Sequence, residues 1–207
     1  MRILVLAPHT DDGEFGCGGS IARFASEGNE VHYVAFSAAE KSVPIEFPSD
    51  VLRKEVVNAT AILKIPKANL QVLNFEVRDF PAHRQEILEV MVKLQADIKP
   101  EMVLLPSTYD VHQDHQTIAN EGFRAFKKTT LLGYDLPWNT LNFATNMFIH
   151  LTQKHIDIKM AALAEYKSQA GRPYATKAFI EGLARLRGVQ TGTEYAEAFE
   201  CIRWVIH

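Results

Sequence analysis

Apolar residues recur along the first half of the chain in two alternating patterns, and these patterns predict its elements. Short continuous apolar runs predict four buried strands, at residues 2–7, 30–37, 70–73 and 102–105. Apolar residues spaced by three or four predict three intervening helices, at residues 20–25, 52–63 and 83–98. Strands that alternate with helices indicate a parallel sheet covered by helices on both faces. The expected fold class is therefore α/β, a Rossmann-like three-layer domain with a mainly parallel sheet.

An unusual polar group directly follows the first predicted strand, at residues 8–14 (Pro-His-Thr-Asp-Asp-Gly-Glu). His9 and the adjacent carboxylates Asp11 and Asp12 are residue types that bind divalent metals such as zinc. A second carboxylate beside a metal ligand can act as a base for a water molecule. The alternative is a helix N-cap with a hydrogen-bonded turn histidine, and this segment alone favours neither interpretation.

Residues 16–19 (Gly-Cys-Gly-Gly) invite comparison with a dinucleotide-binding loop. The fingerprint fails because Ile21 occupies the position of the third glycine, and because carboxylates lie where a pyrophosphate would approach. We expect these glycines instead to let the loop and the following helix pack closely against a strand. Cys17 is expected to be a small packed residue.

A second polar group follows the fourth predicted strand, at residues 109–115 (Tyr-Asp-Val-His-Gln-Asp-His). Ligands of open α/β sheets bind at the carboxyl ends of the strands, so both groups are expected at the same sheet edge. His112 and His115, three residues apart in a first helical turn, can share a face, and Asp114 can fix an imidazole tautomer. The alternative is that Asp110 caps the helix and the histidines are exposed polar residues. Two such groups at one edge favour a shared metal site.

Composition narrows the class of protein further. The chain has 207 residues, 47% hydrophobic and 23% charged, as expected for a single globular domain over residues 1–207. A formal net charge of −3 argues against nucleic acid as a partner. No apolar run reaches membrane-spanning length and no signal peptide is recognised, so a cytoplasmic location is expected. The distant Cys17 and Cys201 indicate a reducing compartment without a disulfide framework.

The two polar groups resemble the paired motifs of the LmbE or PIG-L-type zinc-dependent N-deacetylases, which remove acetyl groups from N-acetylglucosamine-containing substrates. Residues 9–19 match the family's His-Pro-Asp-Asp motif with its following Glu and Gly-x-Gly-Gly, and residues 112–115 match its His-Pro-Asp-His motif. Weaker similarity covers residues 166–169 (Tyr-Lys-Ser-Gln) and 195–199 (Tyr-Ala-Glu-Ala-Phe). The resemblance therefore spans most of the chain.

The sequence departs from the family pattern at four positions. Tyr166 stands where many relatives carry a histidine. Thr10 and Gln113 replace the two motif prolines, which leaves every ligand-type residue in place and affects only the rigidity of the loops. Lys64 replaces a glycine that relatives often carry after the leucine of the second helix.

The resemblance implies a role for each polar residue of the motifs. It implies one zinc ion per subunit with an open fourth position, bound by His9, Asp12 and His115. Asp11 would be the general base. A protonated His112, oriented by Asp114, would contact the developing oxyanion and protonate the leaving amine. An open three-ligand zinc lowers the pKa of water to about 7, which agrees with this chemistry.

Several residues outside the motifs could contact a substrate. Arg53 lies near the position of a pocket arginine in relatives, although a solvated helix face is the favoured alternative. Trp138 or Tyr134 could stack on a sugar ring, and burial in a hairpin or against a neighbouring subunit is an equal alternative. Residues 198–206 could form a late edge strand. A basic C-terminal third could hold a substrate phosphate or simply form one polar helix face; it contains Arg172, Lys177, Arg185 and Arg187.

The expected function is that of a zinc-dependent hydrolase that removes an N-acetyl group from an N-acetylglucosamine-type amino sugar or its conjugate. One alternative is de-N-acylation of a non-sugar amide or of another acyl group. Another is a metal-binding protein without catalysis, disfavoured because a structural zinc site is closed by a fourth protein ligand. A nucleotide-binding module is disfavoured by the failed glycine fingerprint. The expected partner is a small-molecule amino sugar, and assembly into a homo-oligomer is left open.

Overall fold

The computed structural model describes residues 1–206, which fold around a seven-stranded sheet. The strands are β1 (Arg2–His9), β2 (Glu30–Ser37), β3 (Leu70–Val72), β4 (Met102–Pro106), β5 (Thr130–Tyr134), β6 (Met147–Leu151) and β7 (Tyr195–Arg203). The helices are α1 (Asp12–Ser26), α2 (Val51–Ile62), α3 (Arg84–Ile98), α4 (Gln113–Ala125), α5 (Gln153–Leu163) and α6 (Lys177–Val189). Short 3₁₀ turns lie at Glu40–Ser42, Lys67–Asn69, Phe80–His83, Lys167–Gln169 and Pro173–Ala175.

The strand order is β3-β2-β1-β4-β5-β7-β6. The first five strands of this order are parallel to one another, and β7 runs antiparallel to both β5 and β6. A mainly parallel sheet with an antiparallel addition is common in α/β proteins. The predicted fold class is therefore confirmed.

Alternate residues of the central strands point to opposite faces of the sheet, as the period of a strand requires. Ile3 and Val5 pack on one face with residues of α1, α2, α5 and α6. Leu4 and Leu6 pack on the other face with residues of α3 and α4. Both faces of β1 are thus buried, which explains why its sequence is a continuous apolar run rather than an alternating one.

Helix α1 begins earlier than the sequence predicts, at Asp12 instead of near residue 20. Glycine disfavours helices in isolation, so the glycine-rich segment is predicted as a loop. In the fold, a side chain at Gly13 would come within 2.6 Å of Tyr33, and one at Gly16 within 2.3 Å of Tyr134. Close packing against the sheet thus requires glycine here, as expected, and overrides its poor helix propensity.

The last strand is also placed differently from the prediction. β7 lies between β5 and β6 and is not an edge strand. The edge position belongs to β6, a partly exposed strand that the sequence pattern does not reveal. The reason is topological, because β7 returns to fill the space between two earlier strands.

Within residues 1–206, none of the helices combines the length and the apolar character needed to cross a lipid bilayer.

Candidate metal centre and cleft

The two polar motifs meet at the carboxyl ends of neighbouring strands. His9 is the last residue of β1, and the turn at Asp11 leads directly into α1. β4 is hydrogen-bonded to β1, and the loop after it leads to His112, the N-cap of α4. Adjacent parallel strands therefore bring the ends of both segments to the same edge of the sheet.

Three side-chain atoms converge to distances that suit a shared metal ion. His9 Nδ1 lies 3.1 Å from Asp12 Oδ2, and His115 Nε2 lies 3.3 Å from the same oxygen. The two ring nitrogens are 3.4 Å apart. Ligands about 2.0–2.1 Å from a tetrahedral zinc are separated by about 3.3 Å from one another. The structure thus brings the three predicted ligands together in a set that fits a divalent metal.

The outer nitrogens of the same two histidines contact buried carboxylates. His9 Nε2 donates to Asp114 Oδ2 at 3.0 Å, and His115 Nδ1 donates to Asp110 Oδ2 at 2.7 Å. A carboxylate that accepts from one ring nitrogen fixes the tautomer in which the other nitrogen is free to bind a metal. This arrangement recurs around metal-binding histidines and strengthens the fit.

The structure corrects the expected partner of Asp114. Its carboxylate faces His9 and not His112, and it also accepts from the backbone N–H of Arg78 at 2.6 Å. Burial alone would raise the pKa of Asp114, but these two hydrogen bonds outweigh it and lower the pKa. The sequence places Asp114 between two histidines, and only the fold shows which imidazole lies within reach.

Asp110 is a site residue that sequence reasoning misses. It is 1% exposed, and besides His115 it accepts from the backbone N–H of His112 at 2.9 Å. Its position two residues before the motif is also typical of an ordinary turn. The signal is therefore present in the sequence but does not distinguish a histidine partner from a turn residue.

The three clustered groups have strongly coupled charges. Burial lowers the pKa of His9 and of His115, but Asp12 and the outer carboxylates outweigh it and raise these pKa values to about 9 and about 10. Burial raises the pKa of Asp12, and the two histidines outweigh it and hold this pKa far below its usual range. The donor atoms of the cluster therefore attract positive charge strongly, in the form of protons or of a metal cation.

Asp11 lies beside this cluster and lines the cleft next to it. Burial, together with the negative charge of Asp12, raises its pKa to about 6. Neighbouring aspartates thus have opposite shifts, one ionised at any ordinary pH and the other able to exchange a proton near neutrality.

His112 also faces the cluster, with one ring nitrogen within 4.8 Å of ring nitrogens of His9 and His115. Its Nδ1 accepts from the backbone N–H of Asp114 at 3.2 Å, so the ring proton lies on Nε2. Burial and the two nearby histidines lower its pKa. This geometry favours a neutral hydrogen-bond donor over the protonated His112 expected from the sequence.

A cleft of about 330 Å³ opens above the cluster and adds residues outside the two motifs. Its further lining includes Arg78, Trp138, Asn139, Gln169, Arg172 and Tyr174. Trp138 stacks on Tyr174 with ring centroids 3.8 Å apart and planes 11° from parallel. The cleft thus has a polar floor and an aromatic wall, a combination suited to a sugar ring.

The remaining predicted substrate contacts divide into those near the cleft and those away from it. Trp138 and Arg172 line the cleft, whereas Tyr134 is buried and donates its hydroxyl proton to the carbonyl of Leu6 at 3.0 Å. Arg53 lines a separate depression, where its guanidinium donates to Glu40 at 2.9 Å.

The two arginines of α6 are paired within the protein. Arg185 lies 3.2 Å from Glu194, and Arg187 lies 3.1 Å from Asp135. These contacts favour the interpretation of a polar helix face over that of a phosphate site for both arginines. Lys177 is the first residue of α6.

Buried hydrogen bonds of Glu14 and Tyr166 stabilise the first turn of α1. Glu14 is fully buried and accepts from the hydroxyls of Tyr33 and Tyr166. Both hydroxyls also lie within hydrogen-bonding distance of the Thr10 carbonyl. Burial raises the pKa of Glu14 to about 8. Cys17, next along this helix, is buried as expected.

The chain is similar in sequence to a family of de-N-acetylases. Residues 4–126 match the family model described as PIG-L, GlcNAc-PI de-N-acetylase. The chain is 28% identical over 174 residues to the uncharacterized deacetylase YaiS of Escherichia coli (strain K12), covering 80% of this chain and 90% of YaiS.

Solved structures share the fold over nearly the whole chain. The conserved protein TT1542 from Thermus thermophilus has a TM-score of 0.80 and 26% identity, covering 99% of this chain and 96% of TT1542. The N,N'-diacetylchitobiose deacetylase from Pyrococcus horikoshii has a TM-score of 0.76 and 19% identity, covering 96% of this chain and 82% of the deacetylase. The 4-carboxy-2-hydroxymuconate hydratase GalB from Pseudomonas putida KT2440 has a TM-score of 0.76 and 20% identity, covering 100% of this chain and 98% of GalB. Since the last two differ in reaction, the fold alone does not define the chemistry.

Proposed function

Because the chain belongs to the PIG-L family, whose model is that of a GlcNAc-PI de-N-acetylase, we propose that it is a zinc-dependent hydrolase of N-acetylated amino sugars. The observation that carries the proposal is the convergence of His9 Nδ1, Asp12 Oδ2 and His115 Nε2 within 3.4 Å of one another. A zinc ion held by these three residues would act as a Lewis acid and would lower the pKa of water to about 7, which makes hydroxide available as the nucleophile at neutral pH.

Asp11 is the proposed general base. It borders the cleft beside the metal ligands, and burial with the nearby Asp12 raises its pKa to about 6. A base with this pKa can accept a proton from water as the water oxygen bonds to the acetyl carbon. When the C–N bond breaks, the same carboxyl group returns the proton to the departing nitrogen, so that free amine and acetic acid form, and the acid ionises to acetate at neutral pH.

His112 is the proposed donor to the developing oxyanion. Its Nδ1 is occupied by the N–H of Asp114, which leaves Nε2–H as the donor that can face the reacting carbonyl. Stabilisation of that oxygen in a partly buried site is usually the largest contribution to acyl-transfer catalysis. Asp114 and Asp110 hold the two metal-binding histidines, and so they act through the ligands and not on the substrate.

The aromatic wall of the cleft supports an amino sugar as the substrate. The Trp138–Tyr174 stack offers an apolar surface beside the polar groups of Gln169 and Asn139, which suits the apolar face and the hydroxyls of a sugar. Arg53 lies in a different depression, and its proposed contact with substrate receives no support from this geometry.

The test is a coupled measurement of metal content and amide hydrolysis. The purified chain is analysed for metals, and the zinc-loaded protein is incubated with N-acetylglucosamine, N,N'-diacetylchitobiose and an N-acetylated amino acid. We expect one zinc per chain, and equal amounts of acetate and free amine from the sugars only. Removal of zinc with a chelator should abolish hydrolysis, and added zinc should restore it.

Three outcomes would contradict the proposal. Hydrolysis that survives chelation would reject the metal mechanism, and hydrolysis of the amino-acid amide alone would reject the sugar. Zinc binding without acetate release from any of these amides would favour the non-catalytic alternative.

A further inference from the structure

A buried ion pair lies beside α1, outside the proposed catalytic groups. Lys159 on α5 and Glu197 on β7 are joined by an Nζ–Oε1 distance of 2.7 Å, and their side chains are only 5% and 8% exposed. Burying two charges is unfavourable unless their remaining donors and acceptors are also satisfied. The partners of this pair therefore indicate what it does.

Helix α1 is interrupted next to this pair. Cys17 has φ −144° and ψ 22°, which are not helical angles. In an unbroken helix the N–H of Gly19 would donate to the carbonyl of Phe15, four residues earlier. The interruption separates the first half of α1, residues 12–16, from the second half and leaves polar backbone groups at both new ends.

The ion pair supplies hydrogen-bond partners at both ends of the break. Glu197 accepts from the backbone N–H groups of Gly19 and Ser20 at 3.0 and 2.7 Å, and from the Ser20 hydroxyl at 2.6 Å. Lys159 Nζ donates to the carbonyl of Phe15 at 2.7 Å. The carboxylate thus caps the second half of α1, and the ammonium group caps the first half.

The glycines of the break leave room for the two side chains. A Cβ atom at Gly18 would lie 3.1 Å from Lys159 Cγ. A Cβ atom at Gly19 would lie 2.5 Å from Leu151 Cδ1 and 3.1 Å from Glu197 Oε1. The glycines of the Gly-x-Gly-Gly segment therefore allow close packing against the ion pair as well as against the sheet.

The capped first half of α1 is the segment that bears the two functional aspartates. Asp12 is its first residue, Asp11 is its N-cap, and Phe15 lines the cleft. Its length of about one turn is too short to be stable alone. Its orientation depends on anchors outside it, and Lys159 provides the one at its carboxyl end.

We propose that Lys159 and Glu197 are positioning residues that set the orientation of residues 12–16, and through it the placement of Asp12 for metal binding and of Asp11 for proton transfer. The inference rests on the proposed function, because it assigns those two roles to the aspartates. Lys159 and Glu197 act from within the fold and do not touch the substrate.

The test uses the double variant Lys159→Met/Glu197→Gln, which removes both charges together and leaves none buried alone. Glu197→Gln is measured in parallel; it retains one acceptor oxygen but leaves the Lys159 charge buried without its counter-ion, so it should lose more stability than the double variant. Zinc affinity is measured by competition with a chelator, and the absorption spectrum of the Co²⁺-loaded chain reports the ligand geometry. We expect zinc affinity to fall about tenfold or more and the Co²⁺ spectrum to change, as when groups behind metal ligands are removed.

Hydrolysis of N-acetylglucosamine provides the second measurement. We expect kcat to fall about tenfold or more at saturating zinc, with KM within about twofold, because misplaced aspartates impair the reaction and not sugar binding. Glu121→Gln is the matched control, since Glu121 is fully buried and paired with Arg84 and Arg124 away from the break. It should lose stability without losing zinc affinity or changing the spectrum.

The outcomes separate this inference from the proposed function. If the unaltered chain binds zinc and releases acetate, and the charge-free variant keeps its zinc affinity and kcat, the positioning role is wrong and the proposed function stands. If losses of affinity and kcat merely match those of Glu121→Gln at equal loss of stability, the pair has a general structural role and the inference is also wrong. If the unaltered chain neither binds zinc nor releases acetate, the proposed function and the positioning role are both wrong.

Discussion

At the scale of single residues, the adjacent carboxylates Asp11 and Asp12 show how position divides chemical roles. Asp12 lies between His9 and His115, which hold its pKa far below the usual range against the effect of burial. Asp11 is buried beside that negative charge, and its pKa rises to about 6. Asp12 therefore suits metal binding, and Asp11 suits a group that accepts and releases a proton.

We expect Asp11→Asn and His115→Ala to separate these roles. Asp11→Asn should keep zinc but lower kcat by about 10²-fold or more, because the base is removed and the ligands remain. His115→Ala should lose both zinc and hydrolysis, because a ligand is missing. Metal content and acetate release measure the two effects, with the exposed Asp97→Asn as a control that changes neither. Normal hydrolysis by Asp11→Asn would show that the base is another group.

Thr10, which replaces the family's proline, offers a test of stability at the same turn. Its hydroxyl is buried without a hydrogen-bond partner within residues 1–206. A buried polar group without a partner costs about 1–3 kcal/mol, so Thr10→Val should raise the free energy of unfolding by about 1 kcal/mol. Urea denaturation of the zinc-free chain measures this change.

Thr60→Val is the matched control for Thr10→Val. Thr60 is also buried, but its hydroxyl donates to the carbonyl of Val56 at 2.7 Å. Its replacement should lower the free energy of unfolding by about 1 kcal/mol because a hydrogen bond is lost. A fall in the free energy of unfolding for Thr10→Val as well as for Thr60→Val would refute the assignment of the Thr10 hydroxyl as unpaired.

At the scale of elements, the start of α4 assembles half of the site. His112 is the N-cap, and the first turn then directs Asp114 and His115 toward β1. Asp110, in the preceding loop, holds His115 from the other side. One loop and one helical turn therefore carry a proposed metal ligand, His115, the proposed oxyanion donor, His112, and the two carboxylates that hydrogen-bond to His9 and His115.

We expect Asp110→Asn and Asp114→Asn each to lower zinc affinity by about 10- to 100-fold, because each removes a carboxylate behind a metal-binding histidine. Chelator competition gives the affinities, and acetate release at saturating zinc gives kcat. If Asp114→Asn lowered kcat and left zinc affinity unchanged, the role expected from the sequence, orientation of His112, would be restored.

The end of α2 provides a backbone test. Lys64 follows this helix with φ 61°, a left-handed conformation that favours glycine. Lys64→Gly should raise the free energy of unfolding by up to about 1 kcal/mol, because relief of strain exceeds the added flexibility of the unfolded chain. Lys93→Gly, at an exposed position inside α3, should lower it by about 1 kcal/mol. Thermal denaturation of both variants checks the opposite signs.

At the scale of the whole molecule, β7 connects the parts of the site. Glu197 contacts the break in α1, and Glu200 accepts from the backbone N–H of Thr108 at 2.8 Å and from the Ser107 hydroxyl at 2.7 Å. These contacts reach the first motif and the loop that leads to the second. The antiparallel strand therefore supports both halves of the candidate metal centre from beneath.

Metal binding should accordingly stabilise the whole fold. A ligand at 100 times its Kd adds about 2.7 kcal/mol to the free energy of unfolding, so zinc should raise Tm and a chelator should lower it. His115→Ala should show no such response, because it lacks a ligand. Differential scanning calorimetry with and without zinc measures both, and an equal rise in Tm for this variant would place the ion elsewhere.

Much of the fold and of the site could be predicted from the sequence. The family, the fold class and the enzyme class of N-deacetylase are confirmed. The predicted start of α1 and the predicted edge position of the last strand are wrong, because glycine propensity and strand order both depend on distant packing partners. Asp110 is missed because a turn aspartate and a histidine partner look alike in sequence.

The residue types of the site, and the edge of the sheet on which they lie, follow from the order of amino acids alone. Apolar periodicity defines strands, and polar groups that follow parallel strands must emerge at the same edge. The folded chain was needed to establish which carboxylate holds which imidazole, that Trp138 and Arg172 reach the cleft, and that Lys159 and Glu197 fill the break in α1. Such pairings depend on distances of a few ångströms between groups far apart in the chain, and a local pattern carries no information about those distances.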